Sequence, residues 1–266
     1  MSGSLTVVGT GICAVSQTTF EARAHMEQCD KLYYLVADDL TETWIRSLHP
    51  TAESLYGLYS EGQLRINTYH AMAQTLVDAA LEGKAVCAAF YGHPGVFVHP
   101  SHEAIELARE AGLSAKMLPG ISAEDCLFAD LGIDPGQLGC QSFEATDFLV
   151  YDRRYDPRCH LVLWQVGVIG DLTFEKPEDY RNLGLPILVE TLLQEYPADH
   201  EVTLYTASQY VVCDPVLERI PLGELASLDP TTIVTLYVPP LDTGPPNRDM
   251  VDRLRLPEQL RPQANS

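Results

Sequence analysis

Apolar residues recur along residues 66–81 (INTYHAMAQTLVDAAL) at Ile66, Tyr69, Ala73, Leu76, Val77 and Ala80, the spacing of one buried helical face. Arg65 and Tyr69 are four apart, so they share that face one turn from each other. Past Gly83, residues 85–90 are continuously apolar and few, which predicts a strand buried on both sides. The run breaks into Tyr91-Gly92-His93-Pro94-Gly95. In an open α/β sheet, a Gly- and Pro-rich loop leaving the carboxyl end of a buried strand is where ligands bind. Tyr91 is therefore expected at the mouth of a site.

The same alternation extends in both directions. Residues 4–8 predict a strand that runs into Gly9-Thr10-Gly11-Ile12-Cys13-Ala14, a G-x-G-x-x-A turn, but the following helix is expected only at Thr18 or Thr19, with Glu21 completing a capping box. A dinucleotide site needs the helix amino end directly at the turn. The spacing therefore favours a turn that lines another ligand or simply closes the strand. Strands at 31–36, 51–56 and 114–118 and helices at 39–48 and 100–111 imply a mainly parallel sheet with helices on both faces. After Pro119-Gly120, Ser122 with Glu124 and Asp125 open an apolar helix (AEDCLFADL), acidic groups suiting the positive helix end. Further strands are expected at 141–144, 148–151, 160–166, 201–205, 211–220 and 232–238, and helices at 186–195 and 222–228. Pro239, Pro240, Pro245 and Pro246 then end regular structure. The expected organisation is α/β with two α/β/α domains, residues 1–119 and 120–241, and a polar tail at 242–266.

Composition narrows the partners. A chain of 266 residues, 46% hydrophobic, can bury two cores of ordinary size. Its formal net charge of −20 argues against nucleic acid, whose phosphates are held by Lys and Arg. Seven cysteines, none spaced C-x-x-C, suggest neither a disulfide framework nor a zinc site. His93, His99 and His102 fit no single helical face and have no acidic residue placed as a third ligand, so no metal is expected. With no charged-then-apolar leader and no run of membrane-spanning length, the expectation is a soluble, cytoplasmic protein with no membrane partner.

The turn VGTG, the loop YGHPGVF and the stretch LPGISAEDCLFADLGIDP resemble the tetrapyrrole methylase superfamily, whose members bind S-adenosylmethionine between two α/β domains. The likeness spans residues 5–240. Most of that superfamily has an aspartate in a G-D-P pattern where this chain has Gly92-His93-Pro94. With Tyr59, Arg65, Tyr69 and Tyr91 at their observed separations, the loop is similar to that of the borosin peptide backbone α-N-methyltransferases, which methylate amides of a ribosomal precursor. The resemblance implies S-adenosylmethionine as cofactor, with S-adenosylhomocysteine as product. It places cofactor contacts at Tyr91, His93, Val96, Phe97, Ser122, Ala123 and Gln165, and further ones at Leu204, Tyr205 and Thr235. It implies a homodimer. Because residues 254–266 hold no Val- or Ile-rich run, the resemblance further implies a split form acting on a separate borosin precursor peptide.

That activity assigns chemistry to the four residues. An amide nitrogen is a poor nucleophile because its lone pair is delocalised into the carbonyl, and its proton is far less acidic than a phenol. A guanidinium stays charged and favours the phenolate form of a neighbouring tyrosine. Arg65 and Tyr69 are spaced to form such a pair, while Tyr59 or Tyr91 can offer a hydroxyl to the imidate oxygen. Singly, each has a plainer reading: Tyr59 and Tyr69 as half-buried packing residues, Arg65 as a solvated helix-start charge. The cofactor positions read singly as loop and strand-end packing. Three other functions stay open at this level: a tetrapyrrole or other small-molecule methyltransferase, a nicotinamide oxidoreductase using Gly9, Gly11 and Asp38, and a non-catalytic peptide-binding protein.

Overall fold

Strands β1 (Ser4–Gly9), β2 (Lys31–Leu35), β3 (Glu53–Ser54), β4 (Ala85–Phe90) and β5 (Ser114–Met117) form an all-parallel sheet in the order β3-β2-β4-β1-β5. The computed structural model describes residues 3–174, 182–242 and 246–256. Central strands β1 and β4 are apolar at both parities because each face is covered. Helices α1 (Phe20–Gln28) and α2 (Asp39–Leu48) bring Ala22, Met26 and Ile45 onto Val8, Cys87 and Ala89. On the opposite face, α3 (Arg65–Leu81) and α4 (His99–Glu110) pack Met72, Leu76, Ala104 and Ala108 onto Leu5, Val7, Ala88 and Phe90.

A second sheet, built from β6 (Cys140–Glu144), β7 (His160–Trp164), β8 (Glu201–Thr206), β9 (Val216–Pro221) and β10 (Thr235–Val238), runs in the order β6-β7-β10-β8-β9. This sheet is mixed: β6 and β7 are parallel, but β10 pairs antiparallel with both β7 and β8. Helices α6 (Ala145–Val150) and α7 (Leu185–Leu192) bury Phe148, Leu188 and Leu192 against Leu161, Leu163 and Leu236. Helix α5 (Ala123–Leu131) precedes this sheet in the chain and α8 (Arg248–Arg253) follows it. Among the described residues, no helix is long and apolar enough to cross a membrane.

Several boundaries differ from the sequence expectation for identifiable reasons. Residues 148–151 belong with a helix, because the Glu144 carboxylate accepts the Asp147 N–H at 2.7 Å and caps α6. The strand expected at 51–56 shrinks to two residues, since Ser54 caps a 3-10 turn over Leu55–Leu58. Thr19 caps α1 by accepting from Ala22, which leaves Glu21 one position short of a capping box. The strand expected at 211–220 forms only over Val216–Pro221, and the tail expected at 242–266 contains α8, with 257–266 outside the described residues. On α3 the buried positions are Thr68, Met72, Ala73, Leu76, Val77, Ala79 and Ala80, while Ile66 is exposed and Tyr69 half-buried. The first turn of that helix is met by residues 171–174, with Arg65 N donating to Leu172 O at 3.0 Å, and not by the sheet.

Two compact units result: Met1–Ile133 with Asp171–Tyr180 and Thr206–Val216, and Asp134–Gly170 with Arg181–Tyr205 and Leu217–Ser266. The first extends beyond the expected limit at residue 119. It takes in α5, which Gln17 reaches through a contact of 3.6 Å to Cys126 Sγ. The two later segments carry no local signal of where they return.

Candidate active site

Three loops leaving the carboxyl ends of β1, β4 and β5 meet at glycines. A Cβ on Gly9 would lie 2.2 Å from Gly92 O, and one on Gly120 would lie 3.0 Å from the same oxygen. Gly92 N donates to Gly11 O at 2.9 Å and Gly11 N to Gly92 O at 3.3 Å, so the two loops are zipped together. Both glycines take the left-handed backbone this requires, with φ of 75° and 72°.

The G-x-G turn spends its donors internally. Ile12 N and Cys13 N each donate to Gln17 Oε1 at 2.8 Å, and α1 begins only at Phe20. Asp38, the acidic residue a nicotinamide ribose would need, instead accepts from Thr41 N at 2.8 Å as the cap of α2. The geometry therefore removes the features on which a dinucleotide site depends.

Tyr59, Arg65 and Tyr69 are brought together at the opening of α3. Tyr59 follows the 3-10 turn and is half-buried; its phenol is hydrogen-bonded to that of Tyr69. Burial first, then the Tyr69 phenol and that bond, push Tyr59 well above an ordinary tyrosine, and the nearby Arg65 charge pulls it back by less. The Tyr59 ring stacks on Phe174 at 4.6 Å and 27°, and Tyr56 lies 5.6 Å from Tyr59 and edge-on to Phe174. Phe174 is held by a backbone pair: Gly62 N donates to its carbonyl at 3.0 Å and its own N–H donates to Gln63 O at 2.9 Å. Sequence reading missed Tyr56, placed in a strand, and Phe174, which returns from more than a hundred positions downstream.

Tyr91 occupies a different environment, made by Gln209, Cys126, Asp38 and Cys13. Its backbone N–H extends the sheet by donating to Leu35 O at 3.0 Å. Burial raises this phenol, and a bond from Gln209 partly offsets the rise. Gln209 was also missed; it is fixed by its carbonyl, which accepts from Ala14 N at 2.8 Å.

The positions assigned to cofactor contacts fall into both units. In the first, His93 Nδ1 accepts from Gly95 N at 2.9 Å and Val96 N donates to His93 O at 3.1 Å, making a tight turn. Phe97 follows at φ 55° with half its surface exposed (52%), strained for an aromatic residue and of the kind held at ligand sites. Ser122 caps α5 with a complete capping box: its Oγ accepts from Asp125 N at 3.2 Å and its N–H donates to Asp125 Oδ2 at 2.7 Å. Ala123, half-buried, is the first residue of that helix. In the second unit, Gln165 is exposed just past β7 with φ 59°. Leu204, Tyr205 and Thr235 are buried in paired strands, Thr235 opposite Tyr205, and Leu204 belongs to the core.

The family description Tetrapyrrole (Corrin/Porphyrin) Methylases matches residues 4–208. Among curated proteins, a methyltransferase/ribosomally synthesized cyclic peptide gymnopeptides precursor of Gymnopus fusipes is 42% identical over 261 residues, 96% of this chain and 61% of its own length. A methyltransferase/ribosomally synthesized type I borosin cyclic peptide precursor of Coprinopsis marcescibilis is 45% identical over 246 residues, 90% of this chain and 62% of its own. The chain thus spans about three-fifths of the length of these relatives. Among solved structures, the uroporphyrin-III-C-methyltransferase of Thermus thermophilus has a TM-score of 0.63 at 19% identity, covering 90% of this chain and 93% of its own. The methyltransferase CobJ has a TM-score of 0.62 at 18% identity, covering 92% and 98%. At these identities the two structures speak to the fold.

Proposed function

Because the chain belongs to the tetrapyrrole methylase family, we propose that it transfers methyl groups from S-adenosylmethionine to backbone amide nitrogens of a ribosomally made peptide. The relatives' names, which join a methyltransferase to a cyclic peptide precursor, support the substrate class. The observation that carries the chemistry is the Tyr59–Tyr69 hydrogen bond beside Arg65 at the start of α3.

In this reading Tyr69 takes the amide proton. The neighbouring Tyr59 phenol can donate to it, which stabilises negative charge on its oxygen, and Arg65 one turn away adds a permanent positive charge. Tyr59, kept neutral by burial, is the donor that supports the base and not a base itself. Tyr91, also raised, keeps its proton and can direct it at the imidate oxygen that forms as the amide loses its hydrogen. The aromatic wall of Tyr56, Tyr59 and Phe174 offers an extended peptide apolar surface.

The residues present fit the cofactor. The strained, exposed Phe97 offers an aromatic face, which suits a sulfonium charge. The close backbone packing of Gly9 and Gly120 on Gly92 O holds the YGHPGVF loop in place for it. His93, Val96, Phe97, Ser122 and Ala123 of the first unit would hold it. Ser122, whose hydroxyl and N–H are both engaged by Asp125, would act by positioning α5. When bound, the cofactor supplies an electrophilic methyl group.

The proposal extends to a precursor supplied as a separate chain and to a homodimer. Co-expression with the small open reading frame neighbouring its gene, followed by intact-mass spectrometry, is expected to show increments of one methylene. Absence of any increment while S-adenosylmethionine binds in calorimetry would sink the peptide substrate, and porphyrinoid turnover in its place would establish the small-molecule reading. Light scattering checks the dimer.

A further inference from the structure

A cluster outside the phenol group joins α3 to α4. His70 from α3 and His99 and Glu103 from α4 converge, the last two one helical turn apart. His70 Nδ1 lies 2.6 Å from Glu103 Oε1, and His99 Nε2 lies 3.5 Å from Glu103 Oε2. The imidazole rings stand edge to face, centroids 5.9 Å apart at 79°. One donor atom from each of the three residues lies within 4.8 Å of the others. The histidines compared in the sequence, His93, His99 and His102, did not reveal this set, because His70 arrives from a different helix.

We propose that His70, His99 and Glu103 bind one divalent transition-metal ion of the zinc, cobalt or nickel kind. Tetrahedral bonds of about 2.0–2.2 Å put donor atoms roughly 3.4 Å apart. The three donor atoms, within 4.8 Å of one another, would close to that range on binding an ion. Glu103 adds an independent observation: its Oε2 is buried and has no hydrogen-bond partner among the described residues. A desolvated carboxylate oxygen whose nearest partner is an imidazole nitrogen 3.5 Å away is costly, and a cation offsets that cost.

Two imidazoles with one carboxylate select the ion class. Imidazole suits zinc, cobalt and nickel, whereas magnesium and calcium take oxygen sets. The His70 and His99 side chains are 53% and 50% exposed, so water completes the coordination from the solvent side. The His99 ring is also 6.0 Å from that of Tyr69. The ion would therefore fasten the turn of α3 that carries Tyr69 to the helix following the YGHPGVF loop.

The test uses the tag-free full chain, stripped with a chelator and titrated calorimetrically with zinc chloride. One ion per chain is expected, with a rise in melting temperature on zinc addition, and no binding of magnesium at the same concentration. His99→Ala and Glu103→Gln should each weaken zinc binding at least tenfold and abolish the thermal shift. Both residues have solvent-facing surface, and circular dichroism verifies their folding; His70→Gln serves if either variant fails to fold. With cobalt, the absorption spectrum should lack a thiolate charge-transfer band. No bound ion, unchanged affinity in the variants, or a thiolate band reporting cysteine ligands would each overturn the site. None of these outcomes bears on methyl transfer, which is tested separately by mass.

Discussion

Tyr69 is where the methyl-transfer proposal is most exposed to experiment. Tyr69→Phe keeps ring and packing but removes the phenol oxygen beside Tyr59, so turnover should fall by about 10²-fold or more while melting is nearly unchanged. Arg65→Ala should lose a similar factor, and single-turnover mass spectrometry of both variants checks the pair. Tyr59→Phe removes a donor rather than the base, and a smaller loss, about tenfold, is expected. Turnover equal to that of the unaltered chain in Tyr69→Phe would exclude it as base. The grouping of Arg65 with Tyr69 was legible in the sequence because spacing by four on a helix is a local property. Tyr56, Phe174 and Gln209 were not, since long-range return of the chain leaves no periodic trace.

At the scale of elements, the junction of β1, β4 and β5 is a backbone feature. Gly9→Ala would drive a Cβ to 2.2 Å from Gly92 O, and crowding of this kind costs about 1–3 kcal/mol. Denaturant melts should show that loss, and calorimetry should show weakened S-adenosylmethionine binding as the YGHPGVF loop shifts. Ser122→Ala removes one half of the α5 capping box and should cost about 1 kcal/mol by the same melts. Strands β1, β2, β4 and β5 of the first sheet were predictable from period, as was α5, whose limits match the AEDCLFADL run, whereas β3 shrank to two residues. The helix at Ala145–Val150 was not, because Phe148, Leu149 and Val150 favour a strand and only the Glu144 cap decides otherwise.

For the molecule as a whole, buried phenols set an alkaline limit. Burial pushes Tyr155 and Tyr237 up to about 12, and Tyr196 is raised as well, with Tyr155 as a further cause. Their unfolded value is 10.0, so the folded state holds more protons above that pH. Stability is intact below about pH 10 and falls as pH rises from there towards 12, which urea melts across that range should reveal. Tyr155→Phe should soften the fall; its hydroxyl is buried without a hydrogen-bond partner among the described residues, so the change costs little at neutral pH. The separation into two α/β sheets was readable from the alternation of elements. The interleaving of segments between them was not, because Asp171–Tyr180 and Thr206–Val216 rejoin the first unit through backbone pairing and a few side chains, not through a hydrophobic repeat.

That interleaving has a temporal consequence during translation. A nascent chain folds from its amino end at on the order of 5–20 residues per second. The parallel sheet can form once β5 has left the ribosome, yet Tyr59 lacks its stacking partner until Phe174 emerges, and Tyr91 lacks Gln209 for longer still. The scaffold is thus ready several seconds before its aromatic wall, and a ribosome stalled in that interval would carry a folded sheet without it.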